Sequence, residues 1–302
     1  MTGVQAAAID PPRATILIVH YGDVVPTIAL ANQLADYDYD IIIVANDLTT
    51  RPAQLEARVG WRTPSRNLGY GEAFTYAIQG LSTPALVLLN TDIVVSRTSF
   101  DRCIDVLLAD ATIGVLGPVL RFADGSLQSG AAQLTRWRRA PLVLIEPGPF
   151  VVDCTWVTGA AMFIRKEVAE QVGMDGSYFL GGEDADFCIR VGLAGWRVVC
   201  CGDAEMTHHG SQVITGPRWN YYSARNRVWF VKANFGLGSA ALSWLVALVM
   251  LPRIAVADLL IRRNFDASRL TLLGLQHAFR SKPTRYEGPL MGEPLAGEVI
   301  PW

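Results

Sequence analysis

The sequence predicts an α/β protein built on a mainly parallel sheet, with a helical segment at its C-terminal end. Three observations carry this. In the first ninety residues, short continuous aliphatic runs alternate with stretches of helical apolar spacing, the pattern of βαβ crossovers. Hydrophobic residues make up 51% of the 302-residue chain and charged residues only 18%, as expected when strands are buried on both faces or when part of the chain meets a membrane. An uncharged run from Ala240 to Leu251 stands near the end. The composition excludes disorder for most of the chain. A net charge of −2 argues against a protein held broadly on nucleic acid.

Taken in order, Thr15–Val19 is a β-branched run that reads as a buried parallel strand. Val25, Ile28, Ala29 and Leu34 give residues 24–36 a helical face. Ile41–Val44 and Ala85–Leu89 are two further buried strands, with a helix around 72–80 between them. From Gly114 to about Val157 the pattern breaks into short strands, with turns at Asp124-Gly125 and Pro147-Gly148-Pro149. Phe187–Ala194 is helical and stops at Gly195; Trp196–Cys201 is strand-like. Five cysteines without C-x-x-C spacing argue against a disulfide framework or a zinc ribbon and suit a reducing compartment. The first residues, MTGVQAAAIDPPR, lack the basic and apolar regions of a signal peptide, so the expected location is cytoplasmic.

The segment 237–263 differs in character. Ala240–Leu251 is uncharged, Pro252-Arg253 interrupts, and Ile254–Ile261 resumes with one Asp. Twelve uncharged residues fall short of the ~20 that cross a bilayer. Two short helices flanked by Arg253, Arg262 and Arg263 fit a peripheral membrane contact, which would place the protein on the inner face of the cell membrane. Packing on the protein's own core is the alternative. The last twenty or so residues read as a mobile tail.

Four groups of residues carry chemistry. Asn90-Thr91-Asp92 follows a buried strand, at the edge where open α/β sheets bind ligands. Asp92 could hold a divalent cation on a diphosphate, or simply form a turn. Gly181-Gly182-Glu183-Asp184-Ala185-Asp186 sets three carboxylates within four residues at a helix start. The dipole there favours negative charge, and the paired glycines admit close backbone approach. An acidic helix cap is the plain alternative. His208 could complete an ion site begun by Asp92 or sit in an ordinary loop. Asn220–Arg227 offers cations and aromatics suited to phosphates, or an amphipathic helix with a solvated basic face.

In this order and spacing the pieces resemble the inverting family 2 glycosyltransferases, and among them the rhamnosyltransferase-like branch. The matches run from residue 15 to about 236. They comprise Val19-His20-Tyr21-Gly22, Asn67-Leu68-Gly69-Tyr70-Gly71, Leu89-Asn90-Thr91-Asp92 (the L-N-[PT]-D form of a D-x-D motif), and Gly117-Pro118 with Asp124–Gln128. Beyond these stand Gly159–Arg165, the Phe179–Arg190 match to F-x-x-x-E-D-x-D-x-x-x-R, Ala204–His209 and Arg225-Asn226. Where the family commonly shows V-D-N, this chain has Val44-Ala45-Asn46, with Asp47 one step later.

The resemblance implies a GT-A fold. A Rossmann-like parallel nucleotide-binding half (about 14–113) would join a mixed-sheet acceptor half (about 114–236), after a leader (1–13) and before a helical tail (237–302). It implies transfer of a sugar from a nucleoside-diphosphate donor to an acceptor hydroxyl by a single inverting displacement. Asp184 is the expected base and Glu183 the second candidate; Asp92 and His208 would hold Mg²⁺ or Mn²⁺. Donor contacts are expected at Val19, Tyr21, Asn46, Asp47, Asn67, Gly69, Asn90, Asp92 and Arg225, and acceptor contacts at Gly159, Ala160 and Gly182. The branch favours dTDP-L-rhamnose as donor, with another deoxyhexose or a UDP-sugar as runner-up. The acceptor is a glycan, a lipid-linked molecule or a small molecule. A degenerate nucleotide-binding relative is the non-enzymatic rival. A sugar-nucleotide pyrophosphorylase would need a G-x-G-T-R-like loop, and His20-Tyr21-Gly22-Asp23 is not one.

Overall fold

A computed structural model describes residues 12–134, 142–209 and 217–279. Residues 1–11 of the expected leader, and the expected mobile tail from 280 onward, lie outside the described residues. The parallel half comprises β1 (Ala14–His20), α1 (Val24–Ala35), β2 (Asp40–Ala45), β3 (Gly60–Arg62), α2 (Gly69–Ala77) and β4 (Ala85–Leu89). β1 pairs in parallel with both β2 and β4, and β2 with β3. Asp23 starts α1 by accepting the Val25 N–H, which satisfies one of the orphan donors of the first turn.

Next come β5 (Ile93–Val94), α3 (Arg97–Ala109), β6 (Ile113–Arg121), β7 (Leu127–Ser129), β8 (Ala131–Leu134), β9 (Leu142–Ile145), β10 (Val151–Asp153) and β11 (Ala161–Arg165). They are followed by α4 (Lys166–Val172), α5 (Glu183–Leu193) and β12 (Arg197–His208). The sheet runs β10-β12-β6-β11-β4-β1-β2-β3, with β5 on β12 and β7 on β6; β8 and β9 form a separate ribbon. β11 is antiparallel to its neighbours β4 and β6, whereas β12 is parallel to β6. The carboxyl ends of β1, β2, β4, β6 and β12 therefore share one edge with the start of β11. Residues just beyond those ends are brought together although up to 190 positions separate them.

Both faces of the sheet are buried, as the uninterrupted aliphatic runs require. Ile16, Ile18, Ile43 and Val87 pack with residues of α1 and α3, while Leu17, Val44, Leu86 and Leu88 pack with residues of α2, α4 and α5. All five cysteines are buried and unpaired.

The C-terminal part departs from expectation. α6 (Pro217–Ala257) bends only at Gly236, whose φ of 83° lies in the left-handed region. It then runs through Pro252 into one wide turn (Asp258–Arg262) before α7 (Asp266–His277). The two short helices expected either side of Pro252 are a single helix over 237–262. α7 holds it from the protein side: the Trp244 indole donates to the Leu275 carbonyl (2.9 Å), and buried Asp258 accepts the Ser268 N–H (2.7 Å). By length and composition this helix is long and apolar enough to cross a membrane.

Candidate active site

The gathered strand ends border a cleft of about 520 Å³ whose lining includes Asn90, Gly159, Ala160, Gly182, Glu183, Asp184 and His208. Local chemistry explains how each gets there. Gly182 caps α5 in the left-handed conformation (φ 94°) and Gly181 precedes it at φ 82°. A Cβ on Gly181 would lie 2.7 Å from the Trp219 ring, so the approach of that ring requires glycine. The turn delivers Glu183 and Asp184 as the first two residues of α5, pointing into the cleft.

The neighbouring carboxylates are treated differently. Asp184 accepts the Gly159 N–H (2.9 Å) and the Ala185 N–H (2.8 Å). Burial pushes its pKa up, and these backbone donors offset part of that rise. Glu183 is 5% exposed, and one carboxyl oxygen is buried with no hydrogen-bond partner. Burial, then the adjacent Asp184 charge, pushes it up to about 8. Burial raises both carboxyls, and the backbone donors at Asp184 favour its charged form over that of Glu183, so Glu183 is the readier holder of a proton. Asp186 turns away: it pairs with Arg190 (2.7 Å) and is buried.

A second group forms at the ends of β4 and β12. The His208 Nε2 lies 3.1 Å from the Asp92 carboxylate, and its Nδ1 lies 2.7 Å from the Gln128 side-chain oxygen. Burial opposes ionisation of Asp92, but His208 outweighs it and holds the carboxyl below its ordinary range. His208 and Asp92 thus form a close imidazole–carboxylate pair braced by Gln128. One carboxylate and one imidazole suit an ion such as Mg²⁺ or Mn²⁺ that keeps several waters or phosphate oxygens. No cluster of three or more His, Cys, Asp or Glu that could hold a metal stands among the described residues; Asp92 and His208 would leave the rest of an ion's shell to its ligand.

The remaining expected residues lie off this cleft. Asn46 is buried, donates to the Gly69 carbonyl (2.6 Å) and accepts the Leu68 N–H (3.0 Å), so it shapes the turn before α2. Asn67 accepts the Gly69 N–H (2.9 Å) in the same turn. Asp47 accepts from the Gly22 N–H (3.2 Å) and the Thr49 hydroxyl (2.8 Å). Val19, near the end of β1, and Tyr21, just beyond it, are half-buried. Gly69 (φ 70°) faces Phe179: a Cβ there would lie 2.3 Å from the Phe179 carbonyl, which also accepts the Tyr70 N–H (2.7 Å).

Arg225 is placed otherwise than the phosphate role requires. It is 1% exposed and donates to the Ser177 and Tyr178 carbonyls (3.1 and 2.9 Å), and its guanidinium lies against the rings of Tyr221, Tyr222 and Trp229. Asn226 beside it donates to the carbonyls of Tyr178, Leu180 and Gly181. Together they hold the backbone that leads into Glu183, and the expected solvated or phosphate-facing helix face does not form at Arg225.

Sequence reasoning did not single out Tyr70, Gln128, Trp156, Trp219 or Phe230. The Tyr70 hydroxyl lies 2.9 Å from the Asn90 side chain and 2.7 Å from the Gly159 carbonyl, bridging the two halves of the sheet. Tyr70 and Gln128 stood inside matched segments; Trp156, Trp219 and Phe230 had no local signal.

No family model matches the chain. It is 30% identical over 174 residues to an N-acetylglucosaminyl-diphospho-decaprenol L-rhamnosyltransferase of Mycobacterium tuberculosis, covering 47% of this chain and 56% of that protein. It is 27% identical over 195 residues to the O-antigen biosynthesis protein RfbC of Myxococcus xanthus, covering 57% of this chain and 15% of that one. The chain thus spans about half, or less, of the curated relatives it matches. A mannosyltransferase of Pyrobaculum calidifontis, solved with GDP-Man and Mn²⁺, superposes with a TM-score of 0.53 over 88% of this chain and 87% of that one, at 14% identity. GalNAc-T7, solved with UDP, GalNAc and Mn²⁺, superposes at 0.55 over 74% of this chain and 48% of that one, at 13% identity.

The chain has the GT-A fold. Within it, the parallel half is the sheet β3-β2-β1-β4, and Asp92 follows β4.

Proposed function

We propose that this chain is an inverting glycosyltransferase that moves a sugar, L-rhamnose from dTDP-L-rhamnose as the leading candidate, to an acceptor hydroxyl. The observation that supports it is that Glu183, Asp184 and His208 line one cleft, with Asp92 against His208 at 3.1 Å. The rhamnosyltransferase named above supports the sugar and, through its diphospho-decaprenol acceptor, a lipid-linked acceptor.

In the proposed reaction Asp184, ionised and oriented by the Gly159 and Ala185 N–H groups, takes the proton from the acceptor hydroxyl. That oxygen forms the new bond to the anomeric carbon while the bond to the diphosphate oxygen breaks, and its electron pair leaves with the nucleoside diphosphate. Asp92 and His208 would hold Mg²⁺ or Mn²⁺, whose charge stabilises the departing diphosphate. Glu183, protonated near neutrality, keeps the Asp184 charge from being doubled. Arg225 and Asn226 hold the 177–181 backbone, so that Gly182 and the two carboxyls keep their places.

The test is release of nucleoside diphosphate from a panel of dTDP-, UDP- and GDP-sugars, with Mn²⁺ or EDTA, in the presence of a polyprenyl-diphosphate-linked sugar. Mn²⁺-dependent release of dTDP from dTDP-L-rhamnose is expected. Release from UDP-sugars alone would move the donor to the runner-up. Nucleotide binding without turnover of any donor would leave a binding protein and overturn the proposal.

A further inference from the structure

Beyond the reaction itself, we infer that the helix over 237–262 lies in the interface of an anionic lipid bilayer, with α7 on its protein side. At ~1.5 Å per residue the helix is about 39 Å long. Its outward stripe of Leu242, Leu245, Val249, Val256 and Leu259 is exposed, Val249 by 68%, and Leu260 and Ile261 at its end reach 71% and 79%. Soluble monomers rarely leave a contiguous apolar patch of this length open to water.

Charge selects lipid as the occupant. Residues 217–279 carry eight Arg and Lys against two acids, Asp258 and Asp266. Asp258 is fully buried, whereas Arg253, Arg262 and Arg263 are exposed around the apolar stripe. A self-complementary contact would set these cations against their own copies, while anionic headgroups satisfy them. Packing decides how the helix lies. α7 occupies one flank through Trp244–Leu275 and Asp258–Ser268, and it carries exposed Arg269 and Gln276. A membrane-crossing pose would drag these polar groups into hydrocarbon; a pose in the plane leaves them in water. The inner wall of the same region is continuous with the cleft, because Phe230 lines the cleft and packs with Ala240 and Trp244. A lipid-borne acceptor would therefore enter beside the bilayer. That last consequence rests on the transferase reading; the docking does not.

Flotation of the full chain with phosphatidylcholine vesicles, with and without phosphatidylglycerol, tests the docking without any donor. Binding to the anionic vesicles is expected, weakened at least tenfold by Leu245→Glu/Val249→Glu and several-fold by Arg253→Ser/Arg263→Ser or by high salt. Arg262 is left intact because it pairs with Asp258 (2.8 Å). An unchanged thermal shift with dTDP and Mn²⁺ shows that the variants remain folded. Absence of flotation with every composition overturns the inference. So does a lipid-independent dimer that the Leu245→Glu/Val249→Glu variant dissociates, which would make a second copy the occupant. Retention on vesicles through carbonate washing would mean a spanning helix and overturn the pose in the plane.

Discussion

The cleft holds two acidic sites that the fold treats in opposite ways. At the end of β4, Asp92 lies against an imidazole and its carboxyl is held below the ordinary range. At the start of α5, Glu183 is buried beside another carboxylate and is pushed up to about 8. An imidazole favours the charged form of one carboxyl, while burial beside a second carboxylate disfavours it in the other. The difference teaches that residue type says little about behaviour: neighbours alone set the acidic residues around one cleft apart in how readily they ionise.

This contrast can be broken most directly at Asp184. Asp184→Asn keeps the shape and removes the proton acceptor, so turnover is expected to fall by about 10²–10⁴-fold with donor affinity nearly unchanged. Steady-state kinetics at saturating acceptor, beside calorimetric donor binding, reads both numbers. A variant keeping a third of its activity would pass the role to Glu183.

At the other site, Asp92→Ala and His208→Ala should each lower Mn²⁺-dependent nucleotide affinity by roughly 100-fold, while leaving affinity in EDTA almost unaltered. Loss of an outer partner costs ~10–100-fold in such sites, so Gln128→Leu belongs at about tenfold by the same titration. Equal losses with and without Mn²⁺ would show that these side chains touch the nucleotide themselves.

The smallest effect is on stability. Glu183 has a folded pKa of about 8 against ~4.3 when unfolded. Between those values the native state binds more protons than the unfolded state, so stability falls as pH rises from about 5 to 8. Glu183→Gln should flatten that slope in thermal melts. An unchanged slope would place the proton elsewhere.

Much of this was legible in the sequence, for reasons that vary by element. β1, β2 and β4 are uninterrupted aliphatic runs, so their burial shows without any partner. Asp92, Glu183 and Asp184 stand beside such runs or beside glycines, which makes their position readable. β12 was legible only to Cys201, because the polar residues of a bulge between Cys201 and Glu205 hide the continuation that carries His208. Arg225 reads as a surface cation, since nothing nearby in sequence announces the carbonyls of Ser177 and Tyr178. Pro252 reads as a break because proline costs a helix about 3 kcal/mol; the contacts from α7 on either side of it are invisible to local pattern.

The contact between Gly69 and Phe179 gives the molecule a sense of sequence in time. The turn after β3 belongs to the parallel half, proposed to take the donor, and Phe179 belongs to the segment that leads into Glu183 and Asp184, yet the backbones touch with no side chain between them. Whatever settles the first settles the second, so the nucleotide sugar should bind before the acceptor and its diphosphate should leave last. Product-inhibition kinetics would display this as competition between nucleoside diphosphate and donor alone. A random order would mean that the two turns move independently despite their contact. In an ordered scheme the acceptor meets a finished site only when there is a sugar to receive.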